Sequence, residues 1–336
     1  MKARWSIPAL VTAMLILFVI GLFSGPARLE WSQEWAALRG DGGVTAETIM
    51  WKLRLPRLVS AALSGAALGL SGLLMQTFFR NPLAGPGVLG VSSGATLGVA
   101  LVALGGAGMG SVSSTLGIGP QVVGALIGGG AVMVLLGLVM GRFRSRTALL
   151  IFGLMVGYLA GALVTVLQAG AEAGALQAFV HWGMGSFAHG GWTSCTIMVC
   201  ALTPAVLWSW RASSSLDMWT MGALTAKTMG VDEKALSWSA LGSAGVLAAL
   251  VTAWCGPVAF LGLATPHLVR AAGMKGRHAA MLFPVVLTGG TVALLADLVV
   301  RLAGVPLNAV LSLVGAPVVL MLIVGRGRIF SKARNR

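Results

Sequence analysis

The sequence predicts an all-α, polytopic membrane protein of about ten transmembrane helices, and three observations carry that reading. Only 10% of the 336 residues are charged, whereas a soluble domain carries about 25%. Hydrophobic residues make up 57% of the chain, and its mean hydropathy is +0.90. Runs free of Asp, Glu, Lys and Arg recur at the length of a bilayer core, which takes roughly 20 apolar residues of helix. Strands of an outer-membrane barrel would be about 10 residues long and alternate apolar with polar; these runs are longer and uniformly apolar.

In chain order, the first run, 7–23, follows Lys2 and Arg4 in the manner of a signal peptide. It exceeds the roughly 7–15-residue core of a cleaved signal, and Gly25-Pro26 follows it, so it reads as an uncleaved first span. The segment 24–52 is acidic (Glu30, Glu34, Asp41, Glu47), and its Trp31 and Trp35 suit an interfacial aromatic belt. LRLPR at 53–57 leads into the second run, 58–78, which ends at a break, Arg80-Asn81-Pro82. Runs at 84–104, 121–141 and 147–167 follow. The stretch 168–193 contains HWGMGSFAHGGW and reads as a short re-entrant or surface helix before the run 194–210. Residues 211–235 read as two short helices around Gly222 and Gly230. The runs 236–254, 256–269 (short for a full crossing), 280–298 (interrupted by one acid, Asp297) and 308–325 complete the set. No intervening loop is long enough to fold alone, so residues 1–336 form a single transmembrane domain.

The net charge of +14 encodes orientation, not nucleic-acid binding. With the N-terminus inside, the inner side holds Lys2, Arg4, Arg80, Arg142, Arg144, Arg146, Arg211, Lys227, Lys234, Arg270, Lys275 and Arg277. The tail adds Arg326, Arg328, Lys332, Arg334 and Arg336, and only Arg28, Arg39, Lys52, Arg54, Arg57 and Arg301 fall outside. Both termini are therefore expected in the cytoplasm.

Many of the 48 glycines fall in small-xxx-small register: Gly65/Gly69, Gly90/Gly94/Gly98, Gly124/Gly128 and Gly153/Gly157/Gly161. That spacing lets helix backbones approach closely in lipid. Gly85-Pro86-Gly87-Val88-Leu89-Gly90 fits the dinucleotide fingerprint formally but has no preceding strand and no acid about 20 residues on. No P-loop and no H-E-x-x-H occurs. Cys195, Cys200 and Cys255 read as small packing residues, and His181, His189, His267 and His278 have no tight ligand spacing. Thus no metal site and no catalytic group is expected. Asp297 and Arg301 are spaced as a helical i, i+4 pair. GPGVLGV at 85–91 is echoed by GPVAFLGL at 256–263, five spans later and so on the opposite side, a hint of an inverted repeat.

LRLPR at 53–57, GAALGLSGLLMQ at 65–76 and RNPLAGPGVLGVSSGA at 80–95 resemble the FecCD/BtuC-type permeases of ABC importers. So do LTAKTMGV at 224–231, GPVAFLGLATPHLVR at 256–270, LLADLVVR at 294–301 and LVGAP at 313–317, in the same order along essentially the whole chain. The resemblance implies a BtuC-like type II importer permease. It would pair with a second copy of itself, with two cytoplasmic ATPase subunits that hold ATP and Mg, and with a periplasmic substrate-binding protein. It further implies that Arg54, Arg57 and Arg301 meet glutamates of the binding protein. The cytoplasmic loop 211–235 would couple to the ATPase through Leu224, Ala226, Met229, Gly230 and Val231. Spans five and ten would line the path, with Met155, Thr165, Asn308, Ser312 and Met321 as candidates. One departure stands out: where the family commonly carries an acid and a Pro-Val-Gly or Pro-Ile-Gly sequence before the last span, this chain has Gly304-Val305-Pro306-Leu307-Asn308.

A bare ferric ion would need oxygen ligands, and spans five and ten contain no carboxylate. Such a path suits a whole chelate better than metal-by-metal transfer. Which chelate is only what the family resemblance implies: an iron chelate, ferric siderophore or haem, is expected from its frequency in the family, with cobalamin as the alternative. A secondary transporter driven by an ion gradient is the rival class; it predicts intramembrane carboxylates, and Asp297 is nearly alone.

Overall fold

The computed structural model describes residues 3–25, 27, 29–106, 118–143, 145–274 and 276–334, with side chains described only between 7 and 320. Of the residues named above, Lys2, Pro26, Arg28, Arg144, Lys275 and Arg336 lie outside the described residues. So do the side chains of Arg4, Met321, Arg326, Arg328, Lys332 and Arg334. The described chain is helical: α1 (Ala3–Phe23), α2 (Trp31–Arg39), α3 (Gly43–Glu47), α4 (Leu55–Phe78), α5 (Val91–Ala103), α6 (Pro120–Met140), α7 (Arg146–Ala169) and α8 (Ala173–Gly183). Then come α9 (Gly191–Arg211), α10 (Ser213–Met221), α11 (Ala223–Thr228), α12 (Glu233–Cys255), α13 (Leu261–Ala271), α14 (His278–Ala303) and α15 (Leu307–Arg334).

Ten of these helices occupy the ten predicted runs. Six are long and apolar enough to cross a membrane: α4 with its helical lead-in, α6, α7, α9, α12 and α14. The described parts of α1, α5 and α15 are shorter apolar helices. Residues 213–228 form the two short helices expected around Gly222, and both Gly222 and Gly230 have positive φ.

LRLPR is not a break. Residues Thr48–Arg54 wind as a π-helix that runs directly into α4, with Pro56 in the first α turn. Proline has no N–H to give and its ring crowds the carbonyl four residues back; the wider winding of the preceding turn accommodates both. α4 is then the axis of the fold. Of its most apolar window 83% is buried inside the chain, against 22% for α7.

The glycine registers explain how α4 sits so deep. A Cβ on Gly65 would lie 2.1 Å from the Gly289 carbonyl oxygen of α14, and one on Gly289 would lie 2.1 Å from the Gly65 oxygen. A Cβ on Gly72 would strike the Gly262 carbonyl oxygen of α13 and one on Gly262 would reach Leu68 O of α4, while Gly94 and Gly98 of α5 interlock with Gly128 and Gly124 of α6. Gly161, in the same sequence register, meets nothing within 4 Å. Gly65→Val is therefore expected to cost roughly 1–3 kcal/mol or more through overpacking, while Gly161→Val stays near wild type. Thermal unfolding in detergent compares the two, and equal midpoints would refute the packing role.

The run 256–269 is corrected. Its helix, α13, has 11 residues, and residues 256–260 between α12 and α13 are not helical. Cys255 lies beside the Ser64 hydroxyl at 3.3 Å, and Gly262 lies against Gly72. The non-helical stretch thus covers the descent from the Ser64 level to the Gly72 level of α4. Irregular backbone at membrane depth survives only where its polar groups are satisfied within the protein. Ser186 N–H donates to the Cys255 carbonyl at 2.8 Å. Asn308, at the start of α15, does the rest. Its amide donates to Pro257 O at 2.7 Å and Gly183 O at 3.1 Å, and its oxygen accepts from Ala259 N at 3.0 Å. Phe260 takes a left-handed backbone (φ 58) to start α13, and its side chain packs on Gly315 of α15.

Candidate functional site

The predicted polar residues gather at the two ends of α4. At the Arg54 end, the Arg54 guanidinium enters a pocket between α1, α2 and the π-helical turn. It donates to Glu34 Oε1 at 2.7 Å, to Leu22 O at 2.9 Å and to Ala27 O at 2.7 Å. Its side chain is 7% exposed. Arg57, one turn on, donates from Nε to Asp297 Oδ1 at 2.8 Å. Arg301 Nε lies 3.0 Å from the other oxygen of the same carboxylate, off the hydrogen-bond line, which makes this contact Coulombic. Its Nη1 donates to the carbonyls of Gly21 and Ser24 at the end of α1.

The cluster brings together three cations and two carboxylates. Two of the cations are enclosed: Arg54 and Arg301, whose side chain is 5% exposed, are spent on holding α1 and α2 to α4 and α14. Arg57 keeps 21% of its side chain exposed. The sequence spacing anticipated the Asp297–Arg301 pair but not Arg57 joining it, nor Glu34 as the partner of Arg54. Those contacts close over 240 and 20 residues of chain respectively. Trp31 and Trp35 pack on Phe23 with tilted rings, their centroids 4.9 and 5.4 Å away.

At the other end, α4 stops where Arg80 adopts a left-handed backbone (φ 47) and Asn81 Oδ1 accepts from Leu83 N at 2.9 Å. The last α4 turn ties three elements together. Thr77 Oγ1 and Asp217 Oδ1 bond the two ring nitrogens of His278, at 2.7 and 2.6 Å. The same Asp217 oxygen accepts the first backbone N–H of α14. Trp219 Nε1 donates to Phe78 O at 3.2 Å. Gln76 donates to Leu263 O at 3.1 Å and accepts from Arg270 at 2.7 Å, both on α13, while His267 Nε2 donates to Pro82 O at 2.7 Å. The sequence spacing did not mark Asp217, Trp219 or His278, because their partners lie far off in the chain.

The loop residues divide into anchors and projections. Ala226 and Val231 are buried, Gly230 turns the chain with φ 86, and Leu224 and Met229 project, 78% and 54% exposed. Among the path candidates, Met155 and Thr165 lie on the exposed face of α7, and Thr165 donates to Gly161 O. Ser312 is half-buried on α15. Asn308 differs, since both ends of its amide are committed to backbone groups.

A bundle of apolar helices around one buried rod, with a polar cluster at each end and a surface loop of short helices, is the architecture of a polytopic helical membrane protein. The FecCD transport family profile matches residues 13–325, and the chain belongs to that family, as an ABC importer permease of the FecCD/BtuC type. It is 33% identical over 332 residues to the vitamin B12 import system permease protein BtuC of Escherichia coli O157:H7, covering 97% of this chain and 96% of that one. The BtuC protein of Shigella sonnei matches over the same 332 residues at 33% identity, with the same coverage. Among solved structures, one described as an inward-facing conformation of a transporter assigned to the metal-chelate ABC type superposes with a TM-score of 0.81. It shares 27% identity and covers 96% of this chain and 99% of its own. PsaBC from Streptococcus pneumoniae, in complex with Fab, gives a TM-score of 0.57 at 19% identity, covering 79% of this chain and 89% of that one, a likeness of fold alone.

Proposed function

We propose that this permease carries a whole metal chelate from periplasm to cytoplasm across a bacterial inner membrane, with both termini inside. The cargo of the first reading is an iron chelate, ferric siderophore or haem. Cobalamin is the second reading, favoured by the BtuC relatives at 33% identity. What supports chelate cargo in either form is the absence of any carboxylate from α7 and α15, the helices expected along the path. An apolar, weakly contacting wall lets a bulky ligand pass and leave but offers a bare ferric ion nothing to bind.

In this reading two copies of the chain enclose the path, and the exposed apolar faces of α7 and α15 meet across it. ATP and Mg bind in two partner ATPases, which work on residues 211–235 through the projecting Leu224 and Met229. A periplasmic binding protein docks at the Arg54 end. There Arg57 supplies the exposed charge, and Arg54 and Arg301 hold the platform that presents it. Arg57→Gln keeps a hydrogen-bond donor near Asp297 and removes the charge. It is expected to weaken binding-protein capture about tenfold or more at low salt, mainly through the association rate. Biosensor kinetics on the reconstituted permease measure this, and an unchanged association rate would sink the assignment. The cargo is settled by uptake in a permease-deletion strain given labelled ferric siderophore, haem and cobalamin in turn. Restoration of cobalamin uptake alone selects the second reading.

A further inference from the structure

We propose that the Arg80 end of the molecule holds a binding site for an anionic phospholipid. A cavity of about 690 Å³ opens between the end of α4, the start of α7 and the short helix α11. Arg80, Arg146 and Lys227 line it against one carboxylate, Glu233. Each cation is presented differently. Arg80 is turned off the α4 axis by its left-handed backbone, and Lys227 stands exposed on α11. Arg146 sits over the Trp219 ring, its Cζ 3.8 Å from the centroid, with Glu233 3.4 Å from one nitrogen. Ser145, which caps α7, also lines the space, so the positive end of a 24-residue helix adds to the field there.

The cavity does not end in polar surface. Met140 and Leu149 line both it and a second, smaller space of about 160 Å³ that continues between α6 and α12. That groove is walled by apolar side chains and glycines, among them Gly137, Leu241 and the half-exposed ring of Trp238. A cationic bowl leading into an apolar slot along membrane helices matches one ligand chemistry: a phosphate headgroup joined to an acyl chain. Basic pockets between transmembrane helices on the cytoplasmic side take such headgroups. Inorganic phosphate, or an acidic side chain from a protein partner, would satisfy the cations but leave the slot empty. Because Leu224 and Lys227 of α11 line the same cavity, a lipid there would brace the coupling loop against α4 and α7. The leaflet rests on the orientation proposed above; the binding itself does not.

The test is native mass spectrometry of the full-length chain titrated with dioleoylphosphatidylglycerol or dioleoylphosphatidylcholine, a readout independent of transport. One phosphatidylglycerol per chain is expected to be retained at concentrations where phosphatidylcholine is lost. Each cation near an anionic headgroup contributes about fivefold in affinity, so Arg80→Gln with Lys227→Gln should weaken retention about thirtyfold. Gly242→Phe is an independent variant. A Cβ there meets nothing within 4 Å, and the ring would fill the apolar slot, so retention should fall while the cations remain. Equal retention of the two lipids, or wild-type retention by both variants, overturns the proposal. Inorganic phosphate competing as well against Gly242→Phe as against wild type would make this a free-anion site and overturn it. Expulsion of the lipid by the partner ATPase would make it a protein-docking seat and do the same.

Discussion

Asp297→Ala is expected to destabilise the permease by about 3–5 kcal/mol, the cost of stripping a buried ion pair of one partner. The carboxylate is 1% exposed and stands between Arg57 and Arg301. Removing it leaves two guanidiniums side by side with only the α1 carbonyls to receive one of them. Asp297→Asn keeps an acceptor for Arg57 and should fall between wild type and alanine. Arg54 and Arg301 bond neighbouring α1 carbonyls, so the Arg54–Glu34 and Asp297–Arg301 pairs belong to one network and Glu34→Gln with Asp297→Asn should depart from additivity. Thermal unfolding in detergent reads these variants, with Glu34→Gln alone and wild type beside them. A wild-type midpoint for Asp297→Ala would show that the arginines rehydrate at no cost and that the cluster does not hold the helix ends.

Asn308→Ala is expected to be comparably severe. It strands Pro257 O, Gly183 O and Ala259 N, all partly buried; a buried polar group left unpaired costs about 1–3 kcal/mol, and these three fall toward the lower end of that range. Asn308→Asp should be no better, since it keeps the acceptor for Ala259 N but loses both donors and brings a charge to the site. The effect should be local. Amide hydrogen exchange in peptides spanning 258–263 should accelerate in Asn308→Ala, while α4 peptides keep wild-type protection. Unchanged exchange in 258–263 would mean that other groups satisfy the unwound stretch.

Asn308 also marks where sequence reading stopped. Its position at the start of the last span could be seen as a departure from the family pattern and as a candidate for the path. Its role could not, because its partners come from segments 125, 51 and 49 residues away. What was legible was local. Hydropathy fixed the ten apolar runs, glycine spacing marked the faces that interlock, and the i, i+4 offset paired Asp297 with Arg301. The π-wound entry to α4 left no mark in hydropathy, since winding changes no side-chain polarity. The unwinding of the first five residues of the eighth run was visible only as shortness. The arginines of LRLPR were found as a motif, yet motif spacing carries no information on burial. Only the packing of α1 and α2 over Arg54 shows that it is an internal brace.

α4 spans about 36 Å at 1.5 Å per residue. It meets α13 and α14 backbone to backbone, and its two ends carry the two polar clusters. A rod so embedded makes the faces of the membrane parties to one equilibrium. If engagement at the Arg54 end favours one seating of α4, then whatever favours that seating at the Thr77–His278 end must tighten engagement at the first by the same factor, since linkage between sites is reciprocal. The permease would then need no separate messenger between its two sides, because a single helix belongs to both.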